Sequence, residues 1–174
     1  APVEGDTDTG GAEEELTEGE LVALRDKLRA EVNAREIELF RTKADRFPNE
    51  LANRIELGTR LLKVDRTDEA IAELQLARRD EKLKWRAALL LGMCFKKRNN
   101  WRLAQRNFEE ALASLPDGEE GGRKELLYQL ALGAAENGDL PRAIDLGHEL
   151  ANLDFGFKNI GKLLDDWNDR VQSA

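Results

Sequence analysis

Residues 91–116 read LGMCFKKRNNWRLAQRNFEEALASLP. Leu91, Gly92 and Phe95 lie on one helical period, and Ala104, Phe108 and Ala111 lie on a second that closes at Pro116. The same set stands 34 residues earlier as Leu57, Gly58, Leu61, Ala70, Leu74 and Ala77. A weaker third copy follows at a step of 39 once five residues near Glu119–Arg123 are counted as an insertion. Leu130-Ala131 and Ala143 then match, while Ala134, Gly147 and Leu150 are changed in size. A recurrence at one spacing is the mark of stacked supersecondary units. Gly58, Gly92 and Ala131 let the two helices of a hairpin approach closely, as do Ala70, Ala104 and Ala143. Large side chains at Leu61, Phe95, Leu74 and Phe108 are expected to fill the space between adjacent hairpins. One hairpin cannot bury its apolar face alone, so about three must stack, with atypical ends.

These residues resemble the tetratricopeptide repeat family over roughly 51–157. The second copy is the best match, with Leu91, Gly92, Phe95, Ala104, Phe108, Ala111 and Pro116, and Asn137-Gly138-Asp139 resembles the family's inter-helix turn. The family's first-helix Trp is replaced by Arg54, Ala88 and Leu127, and Lys82 stands where the first copy would have its closing Pro. Gly147 occupies a place where a large side chain is usual. A half-repeat precedes, with Phe40, Ala44 and Pro48 near matching places. The resemblance implies an all-α fold: a right-handed superhelix of about three hairpins with a long N-terminal helix and a C-terminal capping helix. The expected divisions are an acidic disordered tail over 1–16, the long helix over 17–47 and the repeat domain over 48–174.

Composition agrees with helices: 41% hydrophobic, 36% charged and only 6% aromatic. The net charge of −8 is local, because residues 1–20 carry eight acids and no base, leaving 27 acids against 27 bases in the rest. Thr17-Glu18-Gly19-Glu20 fits a capping box. Leu21, Leu24, Leu28, Val32 and Leu39 follow at helical spacing, and Pro48 disfavours helix at the residue before it. Phe155, Phe157, Ile160, Leu163, Leu164 and Trp167 suit the final capping helix. The single Cys94 excludes an internal disulfide, and no apolar run reaches the length of a membrane helix. Ala1-Pro2-Val3 lacks an initiating Met and a signal-like stretch and is read as a processed end or an imposed boundary. The compartment stays open between the cytoplasm and the soluble part of an exported or anchored protein.

Catalytic and metal chemistry finds little material. His148 is the only histidine and is read as solvated; Cys94 is read as a buried, inert thiol. Asp6-Thr7-Asp8-Thr9-Gly10 lacks the calcium-loop ligands, and Gly118–Lys124 lacks the phosphate-loop spacing and is read as an inserted flexible turn. Adjacent Asp165 and Asp166 diverge on a helix and cannot converge on one bond. The chain is therefore read as non-enzymatic, without cofactor or metal. Ten bases between Arg78 and Arg106, with Trp85 and Trp101 nearby, raise nucleic acid as a ligand. The balanced body argues against it and favours an acidic protein segment.

The resemblance implies a concave face made by the first helices. Mapped onto this chain, the binding residues are Ile55, Thr59, Leu62 and Lys63, then Arg86, Leu89, Leu90, Met93, Lys96 and Lys97, then Tyr128 and Leu132. The Lys and Asn set with which some relatives clamp a terminal carboxylate is absent, since Ile55, Thr59 and Leu90 hold those places. The expected function is a protein-binding scaffold that takes a peptide or helix in an apolar groove with a basic rim. The alternative is a self-assembling protein that uses the long helix or the groove to form a homo-oligomer.

Overall fold

The computed structural model describes residues 16–173. The expected tail over 1–16 lies outside the described residues, apart from Leu16. The described residues form eight helices: α1 (Glu18–Arg46), α2 (Ala52–Lys63), α3 (Thr67–Ala77), α4 (Lys84–Lys97), α5 (Trp101–Ala113), α6 (Glu120–Glu136), α7 (Leu140–Leu153) and α8 (Ile160–Gln172). The chain divides into two units, 1–35 and 36–174, and α1 contributes to both.

In the first unit, Thr17 starts α1 through the expected capping box. Its N–H donates to Glu20 Oε2 at 2.8 Å, and the Glu20 N–H donates back to Thr17 Oγ1 at 3.3 Å. These bonds hold the Glu20 carboxyl below its usual range.

In the second unit, α2/α3, α4/α5 and α6/α7 pair as hairpins, and α3 packs on α4, α5 on α6 and α7 on α8. All three hairpin turns use one device, a Schellman motif, in which the chain crosses the left-handed region just past the first helix. The residue there is Asp65 (φ 61°), Asn99 (φ 55°) and Gly138 (φ 86°), and those positions repeat at the 34 and 39 steps. The N–H of the next residue returns to the first helix: Arg66 to Leu61 O, Asn100 to Phe95 O and Asp139 to Ala134 O, each at 2.9 Å. Asn100 and Asp139 then cap the second helix, accepting from Leu103 N and Arg142 N at 3.2 Å.

The packing inside each hairpin explains its glycine. A Cβ at Gly58 would stand 2.7 Å from Leu74 Cγ, and one at Gly92 would collide with the Phe108 ring. Leu74 and Phe108 are thus seated on the glycine of their own hairpin, where the sequence reading had them filling space between hairpins. Between hairpins the same device recurs with Trp101 against Gly133. Gly147, an apparent defect in the third copy, receives Leu164 and Trp167 of α8, with Leu164 Cδ2 2.8 Å from where a Cβ would be. The core is continuous from the end of α1 to α8: Ile37 joins Ile55, Leu57, Leu61 and Leu74, while Leu127, Ala131 and Leu150 meet Ile160, Leu164 and Trp167.

Two sequence departures turn out to be coupled. Arg54, in place of the family's Trp, donates from Nη1 to Glu73 Oε2 at 2.6 Å, with the two side chains 17% and 18% exposed. One repeat later the equivalent places hold Ala88 and Asn107. Asn107 donates from Nδ2 to Leu103 O at 2.8 Å, but its buried Oδ1 has no partner. An Arg supplies the donor in the first copy, and a Leu (Leu146) removes the need in the third.

Two expectations need correction. Residues 120–124 are not a flexible turn; they form the first residues of α6. The helix tolerates Gly121-Gly122 because the Trp85 ring packs where a Cβ on Gly122 would stand, and Arg123 and Lys124 pair with Glu149 and Asp154. The capping helix begins at Ile160 rather than near Phe155, which is 72% exposed.

Gly92→Ala is expected to cost about 1–3 kcal/mol in urea unfolding, because the rigid Phe108 ring cannot yield to the added methyl. Gly58→Ala should cost less, since it meets the tip of a leucine. Asn107→Leu should raise stability by about 1 kcal/mol, the orphan acceptor outweighing the lost Leu103 bond.

Candidate functional site

In the first two hairpins the second helix covers the glycine-bearing face of the first. The opposite faces of α2 and α4 lie beside each other, and a cavity of about 470 Å³ opens between them. Helix α2 contributes Thr59, Leu62 and Lys63; α4 contributes Leu90, Met93, Lys96 and Lys97; α6 contributes Gln129. The floor is apolar: Leu62 is nearly buried, and Leu90 and Met93 are half-buried against the first core cluster. Met93 also touches the second hairpin's cluster, so it sits at the junction of two hairpins.

The polar rim is largely occupied by contacts between hairpins. Lys97 Nζ pairs with Asp65 and donates to Leu62 O at 3.2 Å. Lys96 Nζ donates to Gln129 Oε1 at 3.3 Å and lies 3.6 Å from Glu136. Gln129 Nε2 donates to Glu125 at 2.8 Å, and Thr59 Oγ1 donates to Ile55 O at 2.8 Å. Lys63 is exposed, and among the described residues it makes no ion pair. Part of the wider basic run is matched in the same way: Arg78 pairs with Glu110, Arg98 with Asp68, and Arg86 lies 3.7 Å from Glu56. Residues some 30 apart in sequence, one hairpin from the next, are joined by these pairs.

Of the residues mapped from the sequence, Thr59, Leu62, Lys63, Leu90, Met93, Lys96 and Lys97 converge on the cavity. Ile55 does not. It is fully buried among Ile37, Leu57 and Leu91, because the end of α1 covers that part of α2. Arg86 lies outside the cavity lining, and Leu89 packs on the second hairpin's cluster. Leu132 packs against the third cluster. Tyr128 is claimed by the segment between α7 and α8. Its hydroxyl donates to Asn159 Oδ1 at 2.8 Å, its ring meets Phe157 edge-on at 5.9 Å, and Lys158 Nζ stands 4.4 Å over it. Lys158 also pairs with Glu125 at 2.7 Å. The sequence pattern puts Phe157 with the capping helix and does not single out Lys158, so this closure is not legible from spacing. Gln129 stands at an inward-facing place of the third copy.

His148 is exposed. Burial pushes the Cys94 thiol up to about 11. Among the described residues, no cluster of three or more His, Cys, Asp and Glu could hold a metal ion, and no helix is long and apolar enough to cross a membrane.

No protein-family model matches this sequence, and no curated protein matches it. Among solved structures, the crystal structure of MamA superposes on it with a TM-score of 0.65 at 19% identity, covering 83% of this chain and 88% of that one. The likeness shows the fold: an all-helical repeat of tetratricopeptide type.

Cys94 should resist thiol reagents at pH 8 in the folded protein and react at once in denaturant. Its raised value means that folding favours the protonated thiol, so its contribution to stability is complete below the ordinary 9.0 and lost as pH climbs towards about 11. Rapid labelling of the native protein would contradict the burial.

Proposed function

We propose that this chain is a non-enzymatic protein-interaction scaffold, and that the cavity between α2 and α4 receives the apolar side chains of a partner helix or peptide. The carrying observation is the open volume of about 470 Å³ floored by Leu62, Leu90 and Met93. That size suits two or three anchoring side chains of the helix-in-groove mode. An apolar floor open to solvent supports a role in holding something. Lys63, which makes no ion pair among the described residues, adds a cation at the edge, and Lys96 and Lys97 stand beside the opening, so the partner is expected to carry acid beside its apolar face. The similarity to tetratricopeptide-type folds, used widely as protein-holding surfaces, is in keeping with this reading. The repeat domain, read as 48–174, carries the groove.

The test is fluorescence anisotropy with amphipathic helical peptides, one flanked by Glu and one by Lys. Met93→Glu should weaken the acidic probe by about 10-fold to 100-fold, the loss of one buried apolar contact of about 1.5–3 kcal/mol. Lys63→Glu, a change at an exposed residue that leaves the core untouched, should weaken the acidic probe a few-fold and leave the thermal melt unchanged. Equal binding of both probes by wild type and both variants would refute the groove as a binding site.

A further inference from the structure

We infer that the occupant of this groove is the N-terminal half of α1 from a second copy of the same chain. The inference rests on the groove reading above and names its partner. Leu21, Leu24, Leu28 and Val32 follow one another at steps of three, four and four, which places them within an arc of roughly 80° on a helix of 3.6 residues per turn. All four are between 43% and 55% exposed. Among the described residues the unit 1–35 contains no helix other than α1, so within that unit nothing covers this face. Among the described residues the first unit thus carries an exposed apolar stripe and the second unit an open apolar floor.

Charge favours the same pairing at the N-terminal end of the helix, although Arg25, Lys27, Arg29 and Arg35 outnumber Asp26 and Glu31 along the stripe itself. Glu18 and Glu20 sit in the first turn of α1, at the end of a 20-residue segment with eight acids and no base. Among the described residues Lys63 makes no ion pair, while Lys96 is held by Gln129 and Glu136 and Lys97 by Asp65 and Leu62 O at the groove's edge. A stripe entering the groove brings its acidic end to that rim.

The sequence of α1 argues against the competing arrangement, in which two copies of the stripe pair with each other. Alternation of four and three after Leu24 reaches Leu28, then Glu31, then Arg35. The other register, Leu21, Arg25, Leu28, Val32, Arg35 and Leu39, puts two arginines into a two-stranded seam. A groove that accepts two or three anchors needs no longer repeat.

Stripe and groove are different surfaces, so the contact is head-to-tail. Each copy has one of each, and association continues until a ring closes or a filament grows. That property gives the decisive experiment. Leu24→Glu/Leu28→Glu removes the stripe at exposed positions, and Met93→Glu removes the groove. By analytical ultracentrifugation, the wild type should exceed the single-chain 19.6 kDa with rising concentration, and each variant should remain a single chain. An equimolar mixture of the two should form a species of two chains and nothing larger, because only one intact interface is left. Should Met93→Glu fail to fold, Lys63→Glu serves in its place with a smaller shift. A fluorescent peptide of residues 16–35 should bind the stripe-less protein, about tenfold more weakly once Met93 is replaced, and more weakly still in high salt. A wild type that stays single at every concentration overturns the inference, and so does a groove variant that associates like wild type, which would indicate pairing of α1 helices. A protein that binds an acidic amphipathic peptide through Met93 but ignores the 16–35 peptide would overturn this inference while leaving the groove's binding role standing.

Discussion

The structure rests on one steric exchange, made again and again along the second unit: a missing side chain on one helix receives a large one from the next. Leu74 occupies the space over Gly58, Phe108 that over Gly92, Trp101 that over Gly133, and Leu164 with Trp167 that over Gly147. Each exchange brings two backbones closer than any side chain would allow. Two of them close hairpins and two join one element to the next, so the hairpins are held by the same physics that builds them. The recurring Schellman turns at Asp65, Asn99 and Gly138 set the second helix at the height where this exchange can occur.

The cavity is a consequence of that arrangement. Helices α2 and α4 spend one face on their hairpin partners and part of another on each other, and what is left opens to solvent. Its ends are closed by the two irregular elements. The end of α1 covers Ile55, and the segment before α8 covers Tyr128 through Asn159, Phe157 and Lys158. The cavity is therefore lined by the first two hairpins and by Gln129 of α6, although the repeat pattern extends through three.

The repeating part of this architecture was legible in the sequence because it depends on residue size at fixed spacing, which letters record directly: Gly58, Gly92, Ala70 and Ala104 are small wherever they are read. What escaped the reading depends on partners that the spacing does not identify. Arg54 looked like a defect until Glu73 was found beside it, and Gly147 looked like one until α8 was found filling it. The glycines of 121–122 pointed to a loop, but their neighbours are a tryptophan ring and two ion pairs that keep the segment helical. The ten bases of the second copy suggested a charged patch, yet several are matched by acids one hairpin away. Seven of the mapped groove residues do line the cavity, because the inward face of a repeated helix is also set by spacing; Ile55 and Tyr128 are lost where the non-repeating ends fold over, and Leu89 and Leu132 are taken up by the second and third clusters.

If the small-to-large exchange couples each hairpin to its neighbour, damage at one end should spread by decreasing steps. Amide hydrogen exchange in a Trp167→Ala variant measures this directly, because Trp167 fills the space over Gly147 and touches neither of the first two hairpins' clusters. Protection is predicted to fall most in α6 and α7, less in α5, and least in α2 and α3. Loosening confined to α8, or an equal loss from α2 to α8, would contradict it.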